Sequence, residues 1–224
     1  MEKIYIICSE EYEPERKKNM EKQLENGNFN KNKIEYFCRN WKTNINLKIK
    51  YDDCIFENLN LGEISVFINH IEILKKIKNN FTEGNFLILE SDAYAYPGLE
   101  FTENKINKIL KFNNNWDIIN IGGSCQQLFQ EHGYPKTKPI LFDNTRFYNE
   151  NRLICIESLL WNYNSICKFL DLFDNFKKKY NYKIHLQIDV LLDFFIENNK
   201  LNLYWIHPYL VKQGSGSVWK SNIR

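Results

Sequence analysis

Two carboxylates one residue apart, Glu90 and Asp92, directly follow the apolar run Phe86-Leu87-Ile88-Leu89. Four apolar residues in a row, with turn chemistry further on at Pro97-Gly98, read as a strand buried on both faces. Acids at the end of such a strand are costly unless something pairs with them. A hard divalent cation carrying phosphate oxygens would satisfy both at once. Open α/β sheets also bind ligands just beyond the carboxyl ends of their strands. The competing reading is a surface turn with two solvated acids, and this stretch alone leaves both standing.

Other residues have chemical potential by position. Gly122-Gly123-Ser124 ends the run Trp116 to Ile121, where backbone can approach a ligand closely. Asp189 stands at the start of a helical pattern, a place where an Asp is otherwise simply a cap. Asn69 and His70 lie beside the apolar stripe of a helix, and a lone His there is by default a satisfied structural residue. His207-Pro208 ends a late apolar run and reads as a turn. Lys177-Lys178-Lys179 reads as a solvated helix end that complements the helix dipole.

The elements that must position these residues follow from periodicity. Lys3 to Cys8 reads as a strand, Pro14 as the first turn of a helix to Asn26, and Lys33 to Cys38 as a second strand. This β-α-β opening points to a nucleotide-type α/β sheet. Neither a Gly-x-Gly-x-x-Gly fingerprint nor a Walker-type loop is present. Leu61 to Lys78 carries Ile64, Phe67, Ile68, Ile71, Leu74 and Ile77 at helical spacing. Thr102 can cap a short helix to about Phe112. Leu153 to Trp161 reads as a strand, Asn164 or Ser165 as the cap of a helix to Phe176, and Leu201 to Ile206 as a last strand. Residues 125–152 lack clear periodicity and contain Pro135 and Pro139, so they read as a functional loop, assigned to acceptor binding. Residues 211–224 are Gly/Ser-rich and polar, a mobile tail or lid.

Composition narrows the class. A chain of 224 residues with 43% hydrophobic and 15% aromatic content is expected to fold as one globular domain. Thirty basic against 28 acidic residues leave a formal charge of +2, too balanced for a nucleic-acid protein. No stretch is long enough to cross a membrane. The amino terminus lacks a signal-peptide pattern, so a cytoplasmic location is expected. The six cysteines form no Cys-x-x-Cys and no zinc spacing, and read as buried reduced thiols.

Taken in order, four blocks resemble glycosyltransferase family 25, which includes lipooligosaccharide and collagen-modifying galactosyltransferases. They are Pro14-Glu15-Arg16-Lys17-Lys18-Asn19-Met20 with Leu24, Leu61-Gly62-Glu63-Ile64-Ser65-Val66-Phe67-Ile68-Asn69-His70, Leu87-Ile88-Leu89-Glu90-Ser91-Asp92-Ala93, and Trp116-Asp117-Ile118-Ile119 before Gly122. Weaker echoes follow at Asp189 and from Pro208 to Gln213. The resemblance implies a single GT-A-type, Rossmann-like α/β domain with a mostly parallel central sheet flanked by helices. It implies an inverting transferase that moves a sugar from a UDP-sugar donor to a hydroxyl of a glycan or glycoprotein acceptor, with a divalent metal such as Mn. Asp92, Glu90 and His207 are then the implied metal ligands. Arg16, Glu63, His70, Glu90 and Gly122 are implied at the donor, with Asp189 as first and Glu157 as second candidate for the base. Four positions depart from the family pattern. Ser91 replaces the middle acid of its Glu-Asp-Asp, Ser65-Val66 replaces Gly-Cys, and Asn69 replaces the Ser before His. A non-catalytic relative that binds a glycan or partner is the alternative that Ser91 supports.

Overall fold

The computed structural model describes residues 1–38, 51, 53–96, 98–123, 133, 135–153 and 155–214. Its centre is an eight-stranded sheet in the order β2-β1-β4-β9-β6-β11-β8-β7. The strands are β1 (Lys3–Ile7), β2 (Ile34–Phe37), β4 (Asn85–Glu90), β6 (Ile118–Asn120), β7 (Ile140–Phe142), β8 (Thr145–Glu150), β9 (Ser158–Asn162) and β11 (Leu203–His207). Two ribbons complete the strands: β3 (Ile55–Phe56) with β10 (Lys183–Ile184), and β5 (Ala93–Ala95) with β12 (Val211–Gln213). Among the described residues five α-helices flank the sheet: α1 (Pro14–Asn26), α2 (Leu61–Asn80), α3 (Glu103–Ile109), α4 (Tyr163–Lys179) and α5 (Ile188–Glu197).

The fold class is α/β, with a mixed sheet where a mostly parallel one was expected. The pairs β1–β2, β1–β4 and β6–β11 are parallel, while β9 runs antiparallel to both β4 and β6. The hairpin β7–β8 adds to β11 antiparallel. Its two-residue turn, Asp143-Asn144, has φ of 45° and 57°, the left-handed pair that a type I′ hairpin requires. That hairpin corrects the expectation of a loop over 125–152, of which 125–132 and 134 lie outside the described residues. The start of the expected tail is a strand. Val211–Gln213 pairs with Ala93–Ala95, and 215–224 lies outside the description.

Alternation along the strands builds two cores. Tyr5, Ile7, Phe86 and Ile88 face α2, α4 and α5, meeting Phe67, Ile68, Phe169 and Leu191. Ile4, Ile6, Leu87 and Leu89 face α1 and α3, meeting Met20, Leu24, Ile106 and Ile109. Phe86 to Leu89 are fully buried, each contributing roughly 1.5–3 kcal/mol. The chain leaves β1 for β2 on one side and returns through α2 to β4 on the other. The carboxyl ends of β1 and β4 therefore flank a topological switch point.

Helix α2 is fixed at its start by a capping box. Asn60 Oδ1 accepts the Glu63 N–H at 3.0 Å, and Glu63 Oε2 accepts the Asn60 N–H at 2.8 Å. The cap of α4 is Asn162, whose Oδ1 accepts the Ser165 N–H at 2.9 Å, so neither Asn164 nor Ser165 caps it. Replacing Asn60 with Ala is expected to cost about 1 kcal/mol. That appears as a fall in Tm of roughly 2–4 °C, measurable by calorimetry.

Candidate active site

Parity decides where the acids at the end of β4 go. Glu90 continues the Phe86–Ile88 face and meets α2, where its Oε1 lies 3.2 Å from His70 Nε2. Ser91 turns to the opposite face and meets the start of α1. There the Ser91 hydroxyl donates to Glu13 Oε1 at 2.8 Å and accepts from Arg16 Nη1 at 3.1 Å. Arg16 Nη1 also donates to Glu13 Oε1 at 3.0 Å, closing a ring of three side chains. Glu13 Oε2 accepts the Ser9 N–H at 3.2 Å, which ties the ring to the loop leaving β1. Glu13, Arg16, Ser91 and Asp92 are all buried. Asp92 is held through its backbone, its carbonyl accepting the Gly214 N–H at 2.7 Å.

The 3.2 Å separation of His70 and Glu90 would suit an ion pair, yet burial acts against charge on both. Desolvation lowers the His70 pKa to about 4, opposed by the nearby Asp189. Desolvation raises the Glu90 carboxyl well above its usual range, reinforced by Asp92, Asp189 and Glu13 and opposed by Arg16. Desolvation exceeds the attraction and disfavours the charged form of each partner. Asp189 is partly exposed at the first turn of α5. Its pKa is raised by desolvation, against the Val190 and Asp189 N–H groups and His70, which lower it. The N-cap of α5 is Gln187, not Asp189. Gln187 donates to Glu63 Oε1 at 2.5 Å, so Glu63 is a strut between two helix starts. Asn69 donates to the Ser65 carbonyl at 2.9 Å and to Cys38 Sγ at 3.9 Å, fastening α2 to the end of β2.

Glu157 precedes the reversed strand β9 and so also reaches the carboxyl edge. Its carbonyl accepts the Glu90 N–H at 2.9 Å. Its carboxylate is 1% exposed as a residue and lies against Gly122, where a Cβ would overlap Oε1 and come within 2.8 Å of Cδ and of Ser158 Oγ. Gly122 thus serves the packing of Glu157. His207 is level with Glu90 but three strands away, about 14 Å. It stands opposite Arg146 on β8, which together with desolvation lowers its pKa, desolvation being the larger cause.

The structure therefore brings together Arg16, His70, Glu90, Asp92, Glu157 and Asp189 at one edge, and leaves Glu63 and His207 at its margins. Among the described residues no three His, Cys, Asp or Glu side chains converge as a metal group. Glu90 is turned to His70, so of the two acids Asp92 is the one that could hold a cation. One carboxylate fits a hard cation when phosphate oxygens supply the rest of the shell. Glu13 escaped sequence reasoning. Its one signal there was the i,i+3 spacing to Arg16.

A cavity of about 720 Å³ opens at the opposite, amino edge, between Asn114, Trp116, Asn162 and Lys168. The acid beneath it, Asp117, is saturated by Ser165 Oγ, Lys168 Nζ and the Asn202 N–H at 2.9, 2.6 and 2.8 Å. No protein-family model matches this chain, and no curated protein matches it either.

A His whose folded pKa is below its unfolded value takes up its proton more readily unfolded. His70 therefore contributes stability above pH 6.5 that is lost as pH falls toward about 4. Glu90, with a raised pKa, acts in the opposite sense, losing stability as pH rises through its folded pKa. Denaturant titrations are expected to show the wild type weakening from pH 6.5 toward 4, and His70→Gln weakening less over that window. Parallel curves for the two would mean that His70 is not buried neutral.

Proposed function

We propose that this chain is a nucleotide-sugar-dependent glycosyltransferase of GT-A type, using a UDP-sugar and a divalent cation. The observation that carries the reading is that Asp92, Asp189 and Arg16 all lie near enough to act on the Glu90 carboxyl at the β1–β4 switch point. A guanidinium and carboxylates around one strand end suit a diphosphate with its cation, and Asp92 would hold that cation together with the phosphate oxygens. The cation would neutralise charge on the departing diphosphate. Arg16 adds a fixed positive charge to the same group.

Inversion needs a base beside the acceptor hydroxyl. Asp189 suits that role better than Glu157. It is partly exposed, and its raised pKa makes it a stronger base than a free carboxylate. Glu157 is enclosed and packed on Gly122, which suits a scaffold. The acceptor is a glycan or glycoprotein hydroxyl, and neither the charge balance nor any long apolar helix among the described residues calls for nucleic acid or a membrane span.

The second reading is a non-catalytic binder of glycans or partners. It is favoured by the hydroxyl at Ser91 and by the absence of a three-ligand metal group among the described residues. A UDP-sugar with Mn at a hundredfold excess over its Kd should stabilise the fold by about 2.7 kcal/mol, a Tm rise of roughly 5–10 °C. Asp92→Ala should lower sugar transfer and UDP release by at least about 100-fold. No thermal shift at millimolar ligand sinks the transferase reading. Glycan affinity that survives Asp92→Ala, with no transfer by the wild type, establishes the binder.

A further inference from the structure

We propose that Glu13, delivered from the loop before α1, is the carboxylate that positions Arg16 for a ligand diphosphate, and that residue 91 is a hydroxyl because Glu13 already fills the acid position beside it. This inference rests on the glycosyltransferase reading for its ligand, and on geometry alone for the clamp.

The three contacts form a closed circuit. Glu13 Oε1 receives both the Ser91 hydroxyl at 2.8 Å and Arg16 Nη1 at 3.0 Å, while Arg16 Nη1 reaches Ser91 Oγ at 3.1 Å. A serine hydroxyl is the smallest group that can donate to a carboxylate and accept from a guanidinium at the same time. A carboxylate at 91 has no proton to donate, so two anions would meet near hydrogen-bonding distance with one guanidinium between them. Exposure of 6, 8 and 7% for Glu13, Arg16 and Ser91 leaves little water to screen that repulsion. The backbone fixes the circuit from two directions. Glu13 is tied to Ser9 at the end of β1 through its Oε2 and its own N–H, and Ser91 immediately follows β4. Arg16, on the first turn of α1, is thereby held at the mouth of the switch point against Ser91, the residue before Asp92. One acid per clamp is the rule that this geometry imposes, and the acid can come from either side of the cleft.

The test is a charge exchange with two readouts, Tm without ligand and Kd for UDP with Mn by calorimetry. Ser91→Asp alone is expected to lower Tm by about 5 °C or more, or to leave the chain unfolded. Ser91→Asn, of the same size without the charge, is expected to stay within about 2 °C of wild type. The double variant Glu13→Gln with Ser91→Asp is expected to regain most of the lost Tm. Glu13→Gln alone should weaken UDP binding at least tenfold, and the double variant should recover to within about threefold of wild type.

Equal losses for Ser91→Asp and Ser91→Asn overturn the clamp, since size rather than charge would then decide. A double variant no more stable than Ser91→Asp overturns it as well. Recovery of Tm without recovery of UDP affinity overturns the positioning role and leaves a purely structural ring. If the wild type does not bind UDP at all, the glycosyltransferase reading and the ligand half of this inference both fail. The melting temperatures still decide the clamp in that case.

Discussion

A strand enclosed on both faces cannot end in polar residues unless each face supplies a partner, and β4 ends in three. Phe86 to Leu89 are fully enclosed, so the next side chains begin where water is already scarce. The two-residue repeat sends Glu90 toward α2 and Ser91 toward α1. Each helix answers with a matched group, His70 on one side and the Glu13–Arg16 pair on the other. The site is therefore two half-sites joined by one backbone turn. A helix displaced on either face would strand a buried polar group, at about 1–3 kcal/mol for each.

The two halves have opposite electrostatic characters. On the α2 side, desolvation suppresses ionisation of both His70 and Glu90, and the contact is an internal hydrogen bond. On the α1 side, a guanidinium cannot lose its proton, so the charge of Arg16 persists and must be matched. Asp92 stands between these halves, near enough to Glu90 to raise its pKa. An edge with this surplus of acids suits the proposed cation, and a cation there would attract phosphate. Arg16 would keep the same edge from repelling that anion outright.

The parts of this arrangement that could be read in the sequence are those encoded within one element. The stripe from Ile64 to Ile77 marked α2, four apolar residues marked β4, and Pro14 and Asn26 bounded α1 as observed. Strand direction could not be read, since alternation is identical in either sense. That is why β9 and β8 turned a mostly parallel expectation into a mixed sheet. The β7–β8 hairpin stayed hidden because it is an outer, half-solvated pair, with Leu141 71% exposed, so no apolar run announces it. Glu13 and Ser91 are 78 positions apart, and nothing local ties one to the other. Glu63 shows the reverse case. The resemblance lends it a place at the donor, and its bonds to Asn60 and Gln187, which no local pattern announces, also make it a helix strut.

The reversal of β9 deserves weight beyond its effect on the sheet's description. In a wholly parallel sheet, only residues that follow strands reach the carboxyl edge. A strand inserted backwards presents the residues that precede it, which is how Glu157 comes to lie level with Glu90 and to accept its N–H at a backbone carbonyl. Its side chain would then crowd the neighbouring strand end, and the space comes from Gly122, where any Cβ would overlap the carboxylate. Reversal and glycine act together. They put a further acid beneath the edge, enclosed and fixed, while the partly exposed Asp189 approaches from α5. An enclosed acid shapes the field of the cleft, and a half-exposed one can exchange a proton with whatever enters it. In the proposed transferase, the sheet topology would separate these two duties.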